Sequence, residues 1–396
     1  MNKKLLAVAV AGALAAPGVA MAQASSVTID GYFKVGLEYV NYATVPVNTR
    51  LNSSQARVTD GSSQIHFNVI EALGNDLSAV ARLDIRFTPE NAGAISAGGA
   101  TWVGLQSKSW GRLTMGRHDL HYGKSPEDTY GKAGALQASA ISLFDFINGV
   151  AIANATRTTN VVRYDMPTWN GLDLIVAWSA NPVNSTAAAG NAVSEGDMTV
   201  ANPTLSSSRR GDGWNLNPQY TNGPFQIGYS YWRAKPDSPA AVGMDQRGDS
   251  LYTYYKMGGF KIGLGWNKSR LDNSATSLLT AQRTAWSLPL SYVTGPHNFV
   301  GHYTRANGMS NAAGTVINSG ARMVAAAYIY DLSARTSVGL TYAKINNDAA
   351  AAYNFFTSAA FGSADAGGTA AQAAAGLAIQ PGESPRMLQG TIRHNF

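Results

Sequence analysis

From Val27 to Tyr39 apolar and polar positions alternate, with Val27, Ile29, Phe33, Val35, Leu37 and Tyr39 on one side and Thr28, Asp30, Lys34 and Glu38 on the other. A period of two marks a strand with one apolar and one wet face. Kept up for more than ten residues, it exceeds the usual soluble strand and matches one that crosses a bilayer at a tilt. Residues 77–87 repeat it, with Leu77, Ala79, Ala81, Leu83, Ile85 and Phe87 opposite Arg82, Asp84 and Arg86. Three charges on one face of a single strand require water on that side. The pattern returns in 225–231, 260–266 and, more loosely, 338–342.

About sixteen such segments are expected, an even number as a single-chain barrel requires. They begin near Val27, Ser62, Leu77, Thr101, Arg112, Thr158, Leu172, Gly213, Phe225, Ser250, Phe260, Thr284, Asn298, Arg322, Thr336 and Arg386. Their connections alternate between tight and long. Tight ones bear Gly, Asn or Pro, as in Leu73-Gly74-Asn75-Asp76, Thr221-Asn222-Gly223-Pro224 and Thr294-Gly295-Pro296, and read as hairpin turns. Long polar or Ala/Gly-rich stretches such as 41–60, 181–211 and 347–385 lie between them, the tract 359–378 reading as part of the last external loop. The fold expected is all-β: a transmembrane antiparallel barrel with short periplasmic turns and long external loops. A soluble sandwich would alternate too, but with shorter strands and charged outward faces.

The ends support export. Met1-Asn2-Lys3-Lys4, an apolar run from Leu5 to Ala16 and the small-residue close Ala20-Met21-Ala22 follow the plan of a secretory signal. Residues 1–22, cut after Ala22, are therefore expected to be a signal peptide, and 23–396 the barrel; the apolar run is too short to span a bilayer as a helix. Charged residues make up 14% of the chain, well under the roughly 25% of soluble domains. Gly (41) and Tyr (18) are plentiful, as strand bends and interfacial girdles use them. Zero cysteines excludes disulfides, iron–sulfur centres and Cys-ligated zinc. The formal charge of +6, two of it on Lys3 and Lys4, is spread without basic blocks and gives no ground for a nucleic-acid partner.

Enzymatic chemistry finds no motif. The six histidines form no His-Glu-x-x-His, and no serine sits in a Gly-x-Ser-x-Gly elbow. His118 and His121 are close in sequence but lack a further ligand nearby. No cofactor is expected. Trp102, Trp178, Trp232, Trp266 and Tyr342 read as lipid-facing or interfacial aromatics.

Several segments carry a resemblance. The closing strand, 387–396, ends on Phe396; Gly111-Arg112-Leu113-Thr114-Met115-Gly116-Arg117 and Thr159-Asn160-Val161-Val162-Arg163-Tyr164-Asp165-Met166-Pro167 are followed by Trp169-Asn170-Gly171 and Tyr220-Thr221-Asn222-Gly223-Pro224. Across the whole mature chain this resembles the general porins of Gram-negative bacteria, especially the β-proteobacterial type. The resemblance implies a homotrimer in the outer membrane, in contact with its lipid, passing small hydrophilic solutes and ions by passive diffusion. It implies that Phe396 is read by the barrel-assembly machinery, and that the third external loop, about 119–156, folds into the pore. A substrate-selective channel and a non-conducting structural or adhesive barrel are the alternatives.

Alternation assigns Lys34, Arg82 and Arg86 to the lumen, and the motif match adds Arg117, Arg157 and Arg163. Strict alternation sets Arg117 with Leu113 and Met115, so an inward Arg117 requires an irregularity at Gly116. Glu127, Asp128 and Asp145 are the candidate acids of the constriction loop, and Ile141, Leu143, Phe144, Phe146 and Ile147 its apolar seat against the wall. One departure from the family pattern is Gln64, which stands where a wall arginine is expected. The surplus of wall cations leads to an expected weak anion preference.

Overall fold

The computed structural model describes residues 25–42, 54–90, 95–120, 131–144, 146–147, 150–151, 158–180, 211–236, 244–273, 276–356 and 379–396. The expected signal peptide with Ala22, and Glu127, Asp128, Asp145 and Arg157, lie outside the described residues, as does the tract 359–378.

Sixteen antiparallel strands close into one barrel. They are β1 (Ser26–Tyr42), β2 in two parts (Ser54–Asp60 and Gln64–Gly74), β3 (Leu77–Arg86), β4 (Trp102–Ser107), β5 (Gly111–His118), β6 (Thr158–Asp165), β7 (Leu172–Ser179) and β8 (Gly211–Asn222). Then follow β9 (Phe225–Pro236), β10 (Met244–Met257), β11 (Phe260–Asn273), β12 (Leu279–Thr294), β13 (His297–Ala306), β14 (Ala321–Asp331), β15 (Thr336–Asn347) and β16 (Pro385–Asn395). Each strand pairs with its sequence neighbour, and β1 closes the circle on β16, from Tyr32 opposite Asn395 to Tyr42 opposite Pro385. Closure leaves no unpaired edge, the condition for backbone inside hydrocarbon.

Burial runs opposite to that of a soluble protein. On β12, Leu288 and Leu290 are about half exposed (47% and 52%), whereas Ser287 between the same strands is fully buried. The apolar side therefore faces lipid and the polar side the interior. On β1 the exposed Leu37 and Tyr39 alternate with buried Lys34 and Glu38, as the sequence pattern requires.

The tight turns fall where expected. Asn75 and Asp76 have φ of 50° and 66°, the positive pair that matches the twist of a two-residue hairpin. The Asp76 carboxylate accepts from Ser107 Oγ (2.6 Å) and the Ser109 amide (3.1 Å), lashing the first turn to the second. Gly295 does the same job as a positive residue at φ 54°.

Three strand starts differ from the sequence reading. β2 begins at Ser54 rather than near Ser62, because the break between its two parts is a bulge on which both parts still pair with β1. Asp60 holds this bulge, accepting from the Ser62 and Ser63 amides at 2.7 and 2.9 Å. β10 and β12 begin at Met244 and Leu279, several residues earlier than expected, since backbone pairing continues past the point where the apolar alternation stops.

Candidate functional site

The lumen is built by the inward half of every alternating strand. Lys34 and Glu38 from β1 face it, and Glu38 Oε1 accepts from Arg57 Nε of β2 at 3.0 Å. On β3, Asp84 is 1% exposed and receives both Arg86 Nε (2.7 Å) and Nη2 (2.8 Å). Arg82 is set on the same face, opposite Asn68 of β2 and Trp102 of β4. Gln64 lies in register with Arg86, so the neighbouring strand brings a cation to the level where the expected arginine is missing.

A second charged group lies on β5 and β6. Arg163 donates through Nε and Nη2 to the Asp165 carboxylate (3.0 and 2.5 Å), and Arg112 Nη2 approaches the same carboxylate at 3.4 Å. Arg163 Nη1 also donates to the Asp119 carbonyl at 3.2 Å, which fixes the root of the third loop. Arg393 of β16 stands in register with Lys34 and covers the Tyr32 ring at 3.7 Å. Arg57, Arg112 and Arg393 were missed by the sequence reading, although strand parity was a sufficient signal for Arg112 and Arg393.

A register shift lies between Gly116 and His118 against β6, but it leaves the alternation of β5 unbroken and so does not supply the irregularity that an inward Arg117 requires. Its extra residue is on β6, where Asn160 adopts φ 53°, so that Thr158 and Val161 are both buried. On β5, Thr114 and His118 remain on one side and are 3.2 Å apart. Arg117 is half-buried at this end of β5, and its amide donates to the Thr101 carbonyl at 2.8 Å.

Two tryptophans depart from the lipid-facing reading. Trp102 stacks on His118 with centroids 5.9 Å apart and lies under the Arg112 guanidinium, on the inward face. Trp232 is fully buried among Leu120, Val161, Ala177 and Ala234, inside the barrel. Both share parity with inward residues, which outweighs the general tendency of Trp to sit at a membrane interface. Trp178, Trp266 and Tyr342 are exposed on the outer face, as expected.

The third loop enters the barrel. It leaves β5, and its segment 131–144 carries a turn of 3-10 helix (Leu136–Ala138) and the short helix α1 (Ile141–Phe144). Its anchors are on the opposite wall. Ala135 N donates to Thr341 Oγ1 of β15 (3.0 Å), the Ala138 carbonyl contacts His302 Nε2 of β13 (2.8 Å), and the Phe144 carbonyl accepts from Arg283 Nη2 of β12 (2.5 Å). Ile141, Leu143 and Phe144 are buried, confirming the apolar seat for these three; the side chains of Phe146 and Ile147 lie outside the described residues. Alanines make the room: Ala285, Ala306, Ala325 and Ala343 line that wall where the loop packs.

The last loop helps to hold it, a feature the sequence reading did not anticipate. Tyr353 and Phe355 are fully buried beside Leu143 and Phe144. Tyr42 Oη donates to Asn354 Oδ1 (3.1 Å), and the Phe356 amide donates to Ser142 Oγ of α1 (2.9 Å). At the other end of the barrel the Phe396 amide donates to the Gly31 carbonyl (3.2 Å), and its exposed ring lies 5.9 Å from that of the exposed Phe33.

A wide barrel with a polar, charged lumen and an inserted loop has relatives. The family model described as Gram-negative porin matches residues 7–350. An outer membrane porin protein of Bordetella pertussis is 29% identical over 261 residues, 61% of this chain and 62% of the relative, so the match spans less than two thirds of that protein. An anion-selective porin from Comamonas acidovorans superposes with a TM-score of 0.68 at 20% identity, over 94% of this chain and all of that one. OmpT of Vibrio cholerae, in its trimer form, superposes at 0.61 with 10% identity, again over 94% and 100%. With the family match covering most of the chain and the barrel closed on sixteen strands, this chain belongs to the Gram-negative porin family of the outer membrane.

Proposed function

We propose that this porin is a homotrimeric, water-filled channel for passive diffusion of small hydrophilic solutes and ions, with a weak preference for anions, and not an enzyme. The observation that supports it is the third loop inside the lumen, tied to β12, β13 and β15 and facing a basic wall across the pore. On that wall Glu38, Asp84 and Asp165 each pair with arginine, Asp165 with both Arg163 and Arg112, and with Lys34, Arg82 and Arg393 beside them the basic groups outnumber these three acids. A surplus of positive charge in a narrow passage raises the local anion concentration. The trimeric relative and the anion-selective relative agree with this reading.

Lys34, Arg82, Arg86 and Arg163 are the pore-lining residues of this scheme, with Arg117 and Arg157 at its external end. Glu127, Asp128 and Asp145 supply opposing acids from the third loop, which set up a transverse field and temper the anion preference. Phe396 serves as the signal for the barrel-assembly machinery, and residues 1–22 as the leader removed after Ala22.

The test is single-channel recording in planar bilayers, followed by the reversal potential in a salt gradient. Ohmic openings in threes with a reversal potential favouring anions are expected. A folded barrel that gives no openings refutes the channel in favour of a structural or adhesive role, and saturation by one solute class points to a substrate-selective pore.

A further inference from the structure

The first three strands each put an inward residue at one level of the lumen, and the three form a row. Asp30 of β1 stands directly opposite His66 of β2, and His66 directly opposite Asp84 of β3. The two ends of the row differ. Asp84 is shut in: Arg86 holds both of its oxygens, the Ala100 amide donates to Oδ2 at 3.1 Å, and Gly99 lies so close that a Cβ there would overlap the carboxylate. Asp30 is open, its side chain 55% exposed, with Asn68 Nδ2 donating to its Oδ2 at 2.7 Å.

Between them His66 is 6% exposed, and its two ring nitrogens face different carboxylates. Nδ1 lies 2.6 Å from Asp30 Oδ1, whereas Nε2 lies 3.7 Å from Asp84 Oδ1 and makes no hydrogen bond. A neutral imidazole has one N–H and one bare nitrogen. With the N–H given to Asp30, the bare nitrogen turns its lone pair towards a carboxylate that Arg86 and Ala100 already satisfy. A second proton at Nε2 converts that contact into an attraction without moving the ring. Imidazole is the side chain whose ordinary charge change falls between pH 5 and 8. The charged groups around His66 are Asp30 and, farther along, Lys34 on β1, then Arg82, Asp84 and Arg86 on β3, and Arg393 of β16 over the Tyr32 ring. Its inward neighbours on β2, Gln64 and Asn68, are neutral, as is the segment 95–101 that covers Asp84.

We propose that His66 is a selectivity-determining residue of the pore, a lumen charge absent in alkaline medium and present in acid, so that the anion preference grows as the pH falls. Asp30 carries the effect to permeating ions. Among the described residues its carboxylate pairs with His66 and with no arginine or lysine, unlike Glu38, Asp84 and Asp165. While His66 is neutral, Asp30 is an open acid on the wall and draws cations. Once His66 is protonated the pair is neutral, and the surrounding arginines set the field alone. This inference deepens the channel function proposed above and rests on it.

The test is the reversal potential of the full-length mature protein in a potassium chloride gradient, in planar bilayers of neutral phosphatidylcholine, between about pH 8 and about pH 5, above the ordinary range of carboxyl groups. One charge about 7 Å from a passing ion, at about 0.1 M salt, changes the local concentrations of anion and cation by roughly 1.6-fold in opposite senses. The ratio of chloride to potassium permeability in the wild type is therefore expected to rise about two- to threefold on acidification. His66→Gln, checked for folding by heat-modifiable gel mobility, is expected to keep the alkaline ratio throughout, and His66→Lys the acid ratio throughout. A conducting wild type whose ratio does not change with pH, or a folded His66→Gln that changes as the wild type does, overturns the inference and leaves the channel standing. If His66→Gln does not fold, replacing the rim histidines decides: a pH response that survives H297Q/H394Q supports the inference, and one that disappears with them overturns it. A folded barrel that never opens overturns the channel reading and this inference with it.

Discussion

Arg283 is the residue on which the position of the third loop should turn. It is 2% exposed, donates Nη2 to the Phe144 carbonyl at 2.5 Å and Nη1 to Asn267 Oδ1 at 2.7 Å, and so ties α1 to β11 and β12. Arg283→Lys keeps the charge but offers one nitrogen in place of two, and the two acceptors can no longer both be met by a fixed fork. A hydrogen bond from a charged donor is worth about 1.5 to 3 kcal/mol. Losing the one to Phe144 therefore raises the population of detached loop by about 10- to 100-fold. In planar bilayers this should appear as frequent excursions to larger conductance, with the reversal potential unchanged because the lumen charge is unchanged. Arg283→Met should add a shift of reversal potential towards cations. If a folded Arg283→Lys trimer shows wild-type current noise at all voltages, the guanidinium does not anchor the loop and the reasoning fails.

Replacing Lys34 and Arg393 by Gln removes two lumen cations that stand in register, and the reversal potential in a salt gradient should move towards zero with little loss of conductance. Tyr353→Ala empties a fully buried site beside Leu143 and Phe144; at about 3 to 5 kcal/mol for a large core side chain, it should render the third loop sensitive to protease in otherwise intact vesicles. The Ser107 hydroxyl bonded to Asp76 holds that carboxyl below its ordinary value of 3.8. A lowered folded-state value gives stability that is present above 3.8 and is lost as pH falls through the folded value. Asp76→Ala should therefore lower the urea midpoint at neutral pH, and the difference from wild type should shrink as the medium is acidified below that point.

The charged side chains most exposed to error in a sequence reading are those whose direction depends on an interruption. Lys34, Arg82, Arg86 and Arg163 could be assigned inward because a period of two, or a motif, labels each position. Arg393 is equally legible, since it shares parity with the buried Gln389 and Thr391. Arg57 was hidden because the upper part of β2 lies beyond a bulge, where apolar alternation stops while pairing with β1 continues. Trp102 and Trp232 go against the interfacial tendency of their residue type, because strand parity decides the face a side chain takes.

Strand number, turn positions and the two faces were determined by the sequence itself, because side-chain direction in a strand alternates with the residue number and a membrane punishes every error of face. The sequence also marked Ile141, Leu143 and Phe144 as too apolar for a solvated loop. Only the tertiary structure decided where that loop goes. Its anchors Thr59, Arg283, His302 and Thr341 are far from it along the chain and come together only when the barrel closes. The same holds for cations on neighbouring strands: Arg305 and Arg322, or Lys344 and Arg386, become opposed pairs through strand register, a relation between strands that no single strand encodes.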